Sequence, residues 1–191
     1  MKRIVIAILV AALILFGASY GLQGVAAKKA QEEHLWLMQT ILPGSESFTL
    51  EPYAGDDANI RSVHKAENGF VIETVTRGYA DDIRMLVGVS KEGRVTGLVV
   101  ADAHETLGLG SRILTDHVFL SQFLNGTGAF AAATADAFSG ATGEAETGEE
   151  TQVDAISGAT VSSKAVIRCV NSAIAYVTGA DVSSGATSWG G

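Results

Sequence analysis

Four residues, Ser157-Gly158-Ala159-Thr160, set two small side chains directly ahead of a hydroxyl where a helical pattern begins near the end of the chain. Gly158 and Ala159 keep the backbone slim, so a large group can approach it closely. The first N–H groups of a helix have no intrahelical partner and lie at the positive end of the helix dipole, which suits a phosphate or phosphoester. Thr160 would present its hydroxyl there, with Ser157, Ser162 and Ser163 as further hydroxyls able to donate to phosphate oxygens. The plainer alternative is that Ser157 or Thr160 is only an N-cap, the commonest reason for a hydroxyl at such a place.

The letters alone are weak, because Ser-Gly-Ala-Thr occurs at 139–142, 157–160 and 184–187. Asp154 stands three residues ahead of the middle copy, as an aspartate does in the other two, but only the middle copy is followed by an apolar residue, two serines and then a helical pattern. The charge of Asp154 would oppose a phosphate, which suits a turn residue or a metal-assisting residue during attachment better than a direct contact. A second stretch with chemical content is Ala103 to Ile113, directly after a strand pattern. There Gly108 and Gly110 permit positive φ and close approach to a planar ligand, while Glu105 and Thr106 offer polar contacts at the strand end. His104 with Glu105 is the one candidate acid–base pair near such a ligand.

These stretches need a scaffold, and the periodicities supply one. Ile60 to Lys65 and Phe70 to Arg77 flank Glu67-Asn68-Gly69, while Ile83 to Ser90 and Arg94 to Val100 flank Lys91-Glu92-Gly93, which predicts two hairpins. Val166, Val170, Ala173, Ile174 and Val177 form one apolar face of a last helix from about Thr160 to Val177, with Gly179 as its stop. A short helix capped by Thr115 or Asp116 carries Phe119 and Phe123 on one side, and Lys28 to Ile41 reads as another helix, stopped by Pro43-Gly44. Ser45 to Asp57 is turn-rich. The expected fold class is therefore α+β: antiparallel hairpins covered by helices, behind an N-terminal transmembrane helix.

That last expectation rests on the run from Ile4 to Ala27, which holds no charge and supplies the roughly 20 residues that cross a bilayer. A cleaved signal peptide is the competing reading, given Lys2-Arg3 and the small residues at 25–27, but the apolar run exceeds the usual signal core. The organisation expected is a transmembrane anchor at 1–27, a helix and connecting segment at 28–58, the folded domain at 59–179 with an acidic insertion near 125–152, and a tail at 180–191. Within the insertion one strand is expected around Ala129 to Thr134. The location expected is the inner (cytoplasmic) membrane, single-pass, with the domain on the extracytoplasmic side.

Composition narrows the partners. The 191 residues carry a formal net charge of −8, and no basic stripe argues for nucleic acid as a partner. Cys169 is the only cysteine, so an intrachain disulfide, a self-held iron–sulfur cluster and a multi-cysteine zinc site are all excluded. Its place inside the last helix predicts a buried, inert thiol.

The two motifs, in this order and behind an apolar N-terminus, resemble the FMN-binding domain of two related flavoproteins: the G subunit of the ion-translocating Rnf complex, which is the closer fit, and the C subunit of the sodium-pumping NADH:quinone oxidoreductase. The resemblance runs from the anchor to about Thr178 and includes Gly78-Tyr79 ahead of the second hairpin. It implies FMN joined through its phosphate to the Thr160 hydroxyl, with Ser157, Gly158, Ala159, Ser162 and Ser163 around the attachment. It also implies that His104, Glu105, Thr106, Leu107, Gly108 and Gly110 lie beside the flavin; Leu107 departs from the proline usual in the family. The function implied is a membrane-anchored flavoprotein subunit that passes electrons within an ion-translocating complex. Its partners would be the other subunits, the membrane and a flavin transferase, with no metal site of its own. Two further readings stay open on the residues: a stand-alone flavin reductase, and a non-redox anchored binding protein.

Overall fold

The computed structural model describes residue 29 and residues 31–103, 116–133 and 151–180. The chain divides into two compact units, residues 1–37 and 38–191. In the first, residues 31–37 are helical and almost wholly exposed, and Lys29 pairs with Glu33 one turn on, at 3.8 Å. This helix, α1, covers residues 31–41, so its last turn belongs to the second unit.

The second unit is built on a five-stranded antiparallel sheet in sequential order, from β1 (Thr49–Glu51) through β2 (Ile60–Lys65), β3 (Gly69–Arg77) and β4 (Asp82–Ser90) to β5 (Val95–Ala103). Both predicted hairpins form. In the first the Ala66 N–H donates to the Gly69 carbonyl, and in the second Gly93 takes φ of +78°, which glycine adopts without a Cβ penalty. The three-residue β1 lies in the segment expected to be turns; it pairs with β2 as Leu50 opposite His64.

Alternation on β4 sorts its side chains to two faces. Ile83, Met85, Val87 and Val89 join Ile72, Val63 and the buried side of α3 (Thr160–Thr178) in the main core. Gly88 points the other way, and there the last turn of α1 crosses the sheet. Gly88 and Gly97 are register partners on neighbouring strands, and a Cβ built on either would lie 2.6 Å from the Ile41 carbonyl oxygen. The Thr96 hydroxyl donates to that same oxygen at 2.8 Å. The helices were expected to cover one face; instead α3 covers one, and Met38, Ile41 and Leu42 are buried against the other.

Helix α2 (His117–Ser121) is capped by Asp116, whose carboxylate accepts from the Val118 and Phe119 N–H groups, both at 3.0 Å. Phe119 and Phe123 are fully buried and, with Phe130, form a chain of edge-to-face rings at 5.4 and 5.1 Å. Phe130 opens β6 (Phe130–Ala133), the strand expected near Ala129. It pairs in parallel with β7 (Thr151–Asp154), a strand whose single apolar residue, Val153, gave no periodicity to read.

The expectation of a transmembrane helix is corrected. Among the described residues no helix is long and apolar enough to cross a membrane. Helix α3 has the length, but Lys164, Arg168, Asn171 and several hydroxyls interrupt it, and its apolar side is used on the sheet. The run assigned to the anchor, 1–27, lies outside the described residues, so neither a membrane anchor nor a single-pass inner-membrane location has structural support.

Candidate functional site

Helix α3 runs antiparallel to β3. Near its start the Thr76 hydroxyl donates to the Ala165 carbonyl at 2.9 Å, and near its end Tyr176 meets Phe70 at 5.7 Å between ring centroids. Thr160 therefore lies about 7.5 Å further along the helix than Ala165, beyond the C-terminal end of β3. The ladder carries this position across the sheet: Thr76 faces Ile83, and Ile83 faces Ala103, the last residue of β5. The β3–β4 turn, the end of β5 and the start of α3 thus share one end of the sheet. The predicted loop residues His104 to Gly110 lie outside the described residues, as do the copies at 139–142 and 184–187.

A tight turn delivers the chain into α3. The Ala159 N–H donates to the Ile156 carbonyl at 2.9 Å, and Gly158 takes φ of +79°, the left-handed value that the third position of such a turn favours. Ahead of it, Gln122 grips the end of β7 by accepting from the Asp154 N–H at 2.8 Å and donating to the Asp154 carbonyl at 3.3 Å. Gln122 had no motif to mark it in the sequence. Asn171 grips Phe130 in the same way, with 2.9 Å to both its N–H and its carbonyl, tying β6 to α3.

The helix cap separates the two readings of the hydroxyls. Neither Ser157 nor Thr160 is the N-cap: that position is Ala159, and no side chain closes the helix start. The first-turn N–H groups are left without a capping oxygen from the N-cap side chain. Thr160 is exposed as the first helical residue, with Ser157 and Gly158 exposed before it and Ala159 buried. This arrangement fits a phosphoester: an exposed hydroxyl, a slim approach, and an uncapped helix start at the positive end of the dipole.

Ser162 and Ser163 sit differently from Thr160. Both are buried, and the Ser163 hydroxyl is engaged within its own turn, donating to the Ala159 carbonyl at 3.0 Å and accepting from the Ile156 N–H at 3.1 Å. Its role is to shape the turn that presents Thr160. Further along the helix Cys169 is buried as expected, 3.4 Å from the Thr76 hydroxyl, and burial pushes its thiol pKa up. On the opposite face of the sheet a cleft of about 520 Å³ is lined by charged side chains, but Glu73 in it is already held by Arg84 at 3.6 Å and Ser62 at 2.8 Å. Among the described residues no group of three or more acidic, histidine or cysteine side chains could hold a metal.

Comparison with known proteins follows the same stretch of chain. The model of the FMN-binding domain family matches residues 78–175. The G subunit of the ion-translocating oxidoreductase complex of Methanosarcina acetivorans is 34% identical over 159 residues, 77% of this chain and 76% of that protein. The G subunit of the proton-translocating ferredoxin:NAD(+) oxidoreductase complex of Clostridium ljungdahlii is 26% identical over 177 residues, 93% of this chain and 89% of that one. Among solved structures, NqrC of Shewanella oneidensis has a TM-score of 0.45 at 20% identity, covering 75% of this chain and 73% of that chain.

Proposed function

Because the chain belongs to the FMN-binding domain family, related to the flavin-carrying subunits of ion-translocating complexes, we propose that it is an electron-transfer subunit whose FMN is attached through a phosphoester to Thr160. FMN is the cofactor of this domain, and kinship with the G subunits implies association with the other subunits of such a complex. Bound FMN supplies the redox chemistry, accepting and returning electrons, while the protein holds and orients it.

The observation that carries the reading is the exposed Thr160 hydroxyl on an uncapped helix start. The α3 N–H groups and dipole favour the phosphate there by about 0.3–1 kcal/mol at an exposed site. Gly158 and Ala159 give the group access, and Ser163 locks the turn from inside. Ser157 is the exposed hydroxyl placed to donate to a phosphate oxygen, and β5 ends at Ala103 at the same end of the sheet. Forming the ester calls for a flavin transferase as a further partner. The stand-alone reductase reading gains nothing from the structure, since His104 and Glu105 lie outside the described residues.

Co-expression with a flavin transferase tests the assignment. The wild-type protein should gain the mass of one FMN and fluoresce in a denaturing gel. Thr160→Val should lose both signals, whereas Thr142→Val and Thr187→Val should keep them. Fluorescence retained by Thr160→Val overturns the assignment.

A further inference from the structure

We propose that Tyr79, in the β3–β4 turn, stacks against the isoalloxazine ring of the FMN and is a further binding residue of this site. The inference rests on the Thr160 reading and adds a residue that neither the attachment motif nor the glycine loop contains.

Three observations carry it. The first is place: Arg77 to Asp82 forms the turn at the same end of the sheet as Thr160 and Ala103. Thr76, which contacts Ala165, is only three residues before Tyr79, a span of at most about 10 Å. From that contact the turn and the first turns of α3 extend in the same direction.

The second is rigidity. The Gly78 N–H donates to the Asp81 carbonyl at 2.9 Å, and Arg77 reaches the Ala80 carbonyl at 2.9 Å, Asp81 at 3.3 Å and Asp82 at 3.6 Å. Arg168 of α3 closes the set by donating to the Arg77 carbonyl at 3.0 Å, so the turn is fixed to the helix that begins at Thr160.

The third is the ring itself. Tyr79 is 69% exposed. The other tyrosines among the described residues, Tyr53 and Tyr176, pack edge-to-face at 5.9 Å. A pinned turn that holds out an exposed phenol at the end of the sheet where Thr160 lies is suited to a planar, electron-poor ring tethered to Thr160 by its ribityl chain.

Native flavin fluorescence tests the stacking. A photoexcited flavin takes an electron from a phenol or indole in van der Waals contact and returns it without emitting, so stacking on tyrosine quenches it. Full-length protein carrying covalent FMN is compared with Tyr79→Phe and Tyr79→Trp, each normalised to its own fluorescence after denaturation. Wild type and Tyr79→Trp should be dim in the native state, and Tyr79→Phe should be several-fold brighter. The Phe variant keeps the shape of an exposed side chain, so it folds as the wild type does. Equal native emission from wild type and Tyr79→Phe at equal flavin loading overturns the proposal and leaves the Thr160 reading intact. Absence of covalent flavin from the wild type overturns both.

Discussion

The two ends of the layer formed by the sheet and α3 are built on opposite principles. At one end Tyr176 packs edge-on against both Tyr53 and Phe70, and the helix finishes at Gly179, whose φ of +69° lets its N–H return to the Ala175 carbonyl. Apolar rings close that end. At the other, Thr76, Ser163 and Thr160 replace rings, the helix start has no side-chain cap, and Tyr79 stands exposed. The closed end contributes stability; the open end leaves hydrogen-bonding capacity for a ligand. One helix thus serves as a core element over most of its length and, in the proposed function, as a ligand platform at its first residue.

Thr160→Val should break this contrast most, removing all covalent flavin while thermal stability stays near that of the wild-type apoprotein; differential scanning calorimetry and in-gel fluorescence read the two separately. Gly158→Ala should follow, because a Cβ in the left-handed region costs about 1–2 kcal/mol. Flavin attachment should slow in that variant, since the turn that presents Thr160 is the part under strain. Tyr176→Leu acts at the closed end and should cost about 0.5–1.5 kcal/mol for each of its two ring pairings, with flavin attachment unchanged. Should Tyr176→Leu slow attachment as much as Gly158→Ala does, the division of labour between the ends is wrong.

The smallest effect sharpens the middle of the helix. Burial raises the Cys169 pKa in the folded state, so the fold favours the neutral thiol. That contribution is intact below the ordinary value of 9.0 and is lost as pH rises past it, because the unfolded chain releases its proton first. Denaturation midpoints of wild type should fall more between about pH 8 and 10 than those of Cys169→Ala. Equal slopes would place the thiol outside the core.

Much of this architecture was legible from the residues. Asn68-Gly69 and Lys91-Glu92-Gly93 marked both hairpins, and the apolar face from Val166 to Val177 marked α3, because each is a local signal with a fixed period. What escaped was set by contacts distant in sequence. Strand β7 has one apolar residue and exists because Gln122 and β6 hold it. Ser162 and Ser163 read like Thr160 as hydroxyls, and only the turn geometry shows that they face inward while Thr160 faces out. Family kinship was also legible, from the order of the two motifs. The membrane anchor rests on a charge-free apolar run of bilayer-spanning length and on the family resemblance, and no described helix supports it.

Where α1 crosses Gly88 and Gly97, the protein is vulnerable to substitution far from its chemistry. Gly88 lies about 17 Å along β4 from Ile83, the strand position level with the Thr76 end of the site, and on the face away from α3. At either glycine even the smallest side chain would strike backbone atoms of Ile41. In a library of all single substitutions scored for flavin loading, both positions should therefore be as intolerant as Thr160. A map of sensitivity would show two hot regions, one where a side chain reacts and one where no side chain fits. Rescue separates them, since loss at the glycines should recover at lower temperature and loss at Thr160 should not.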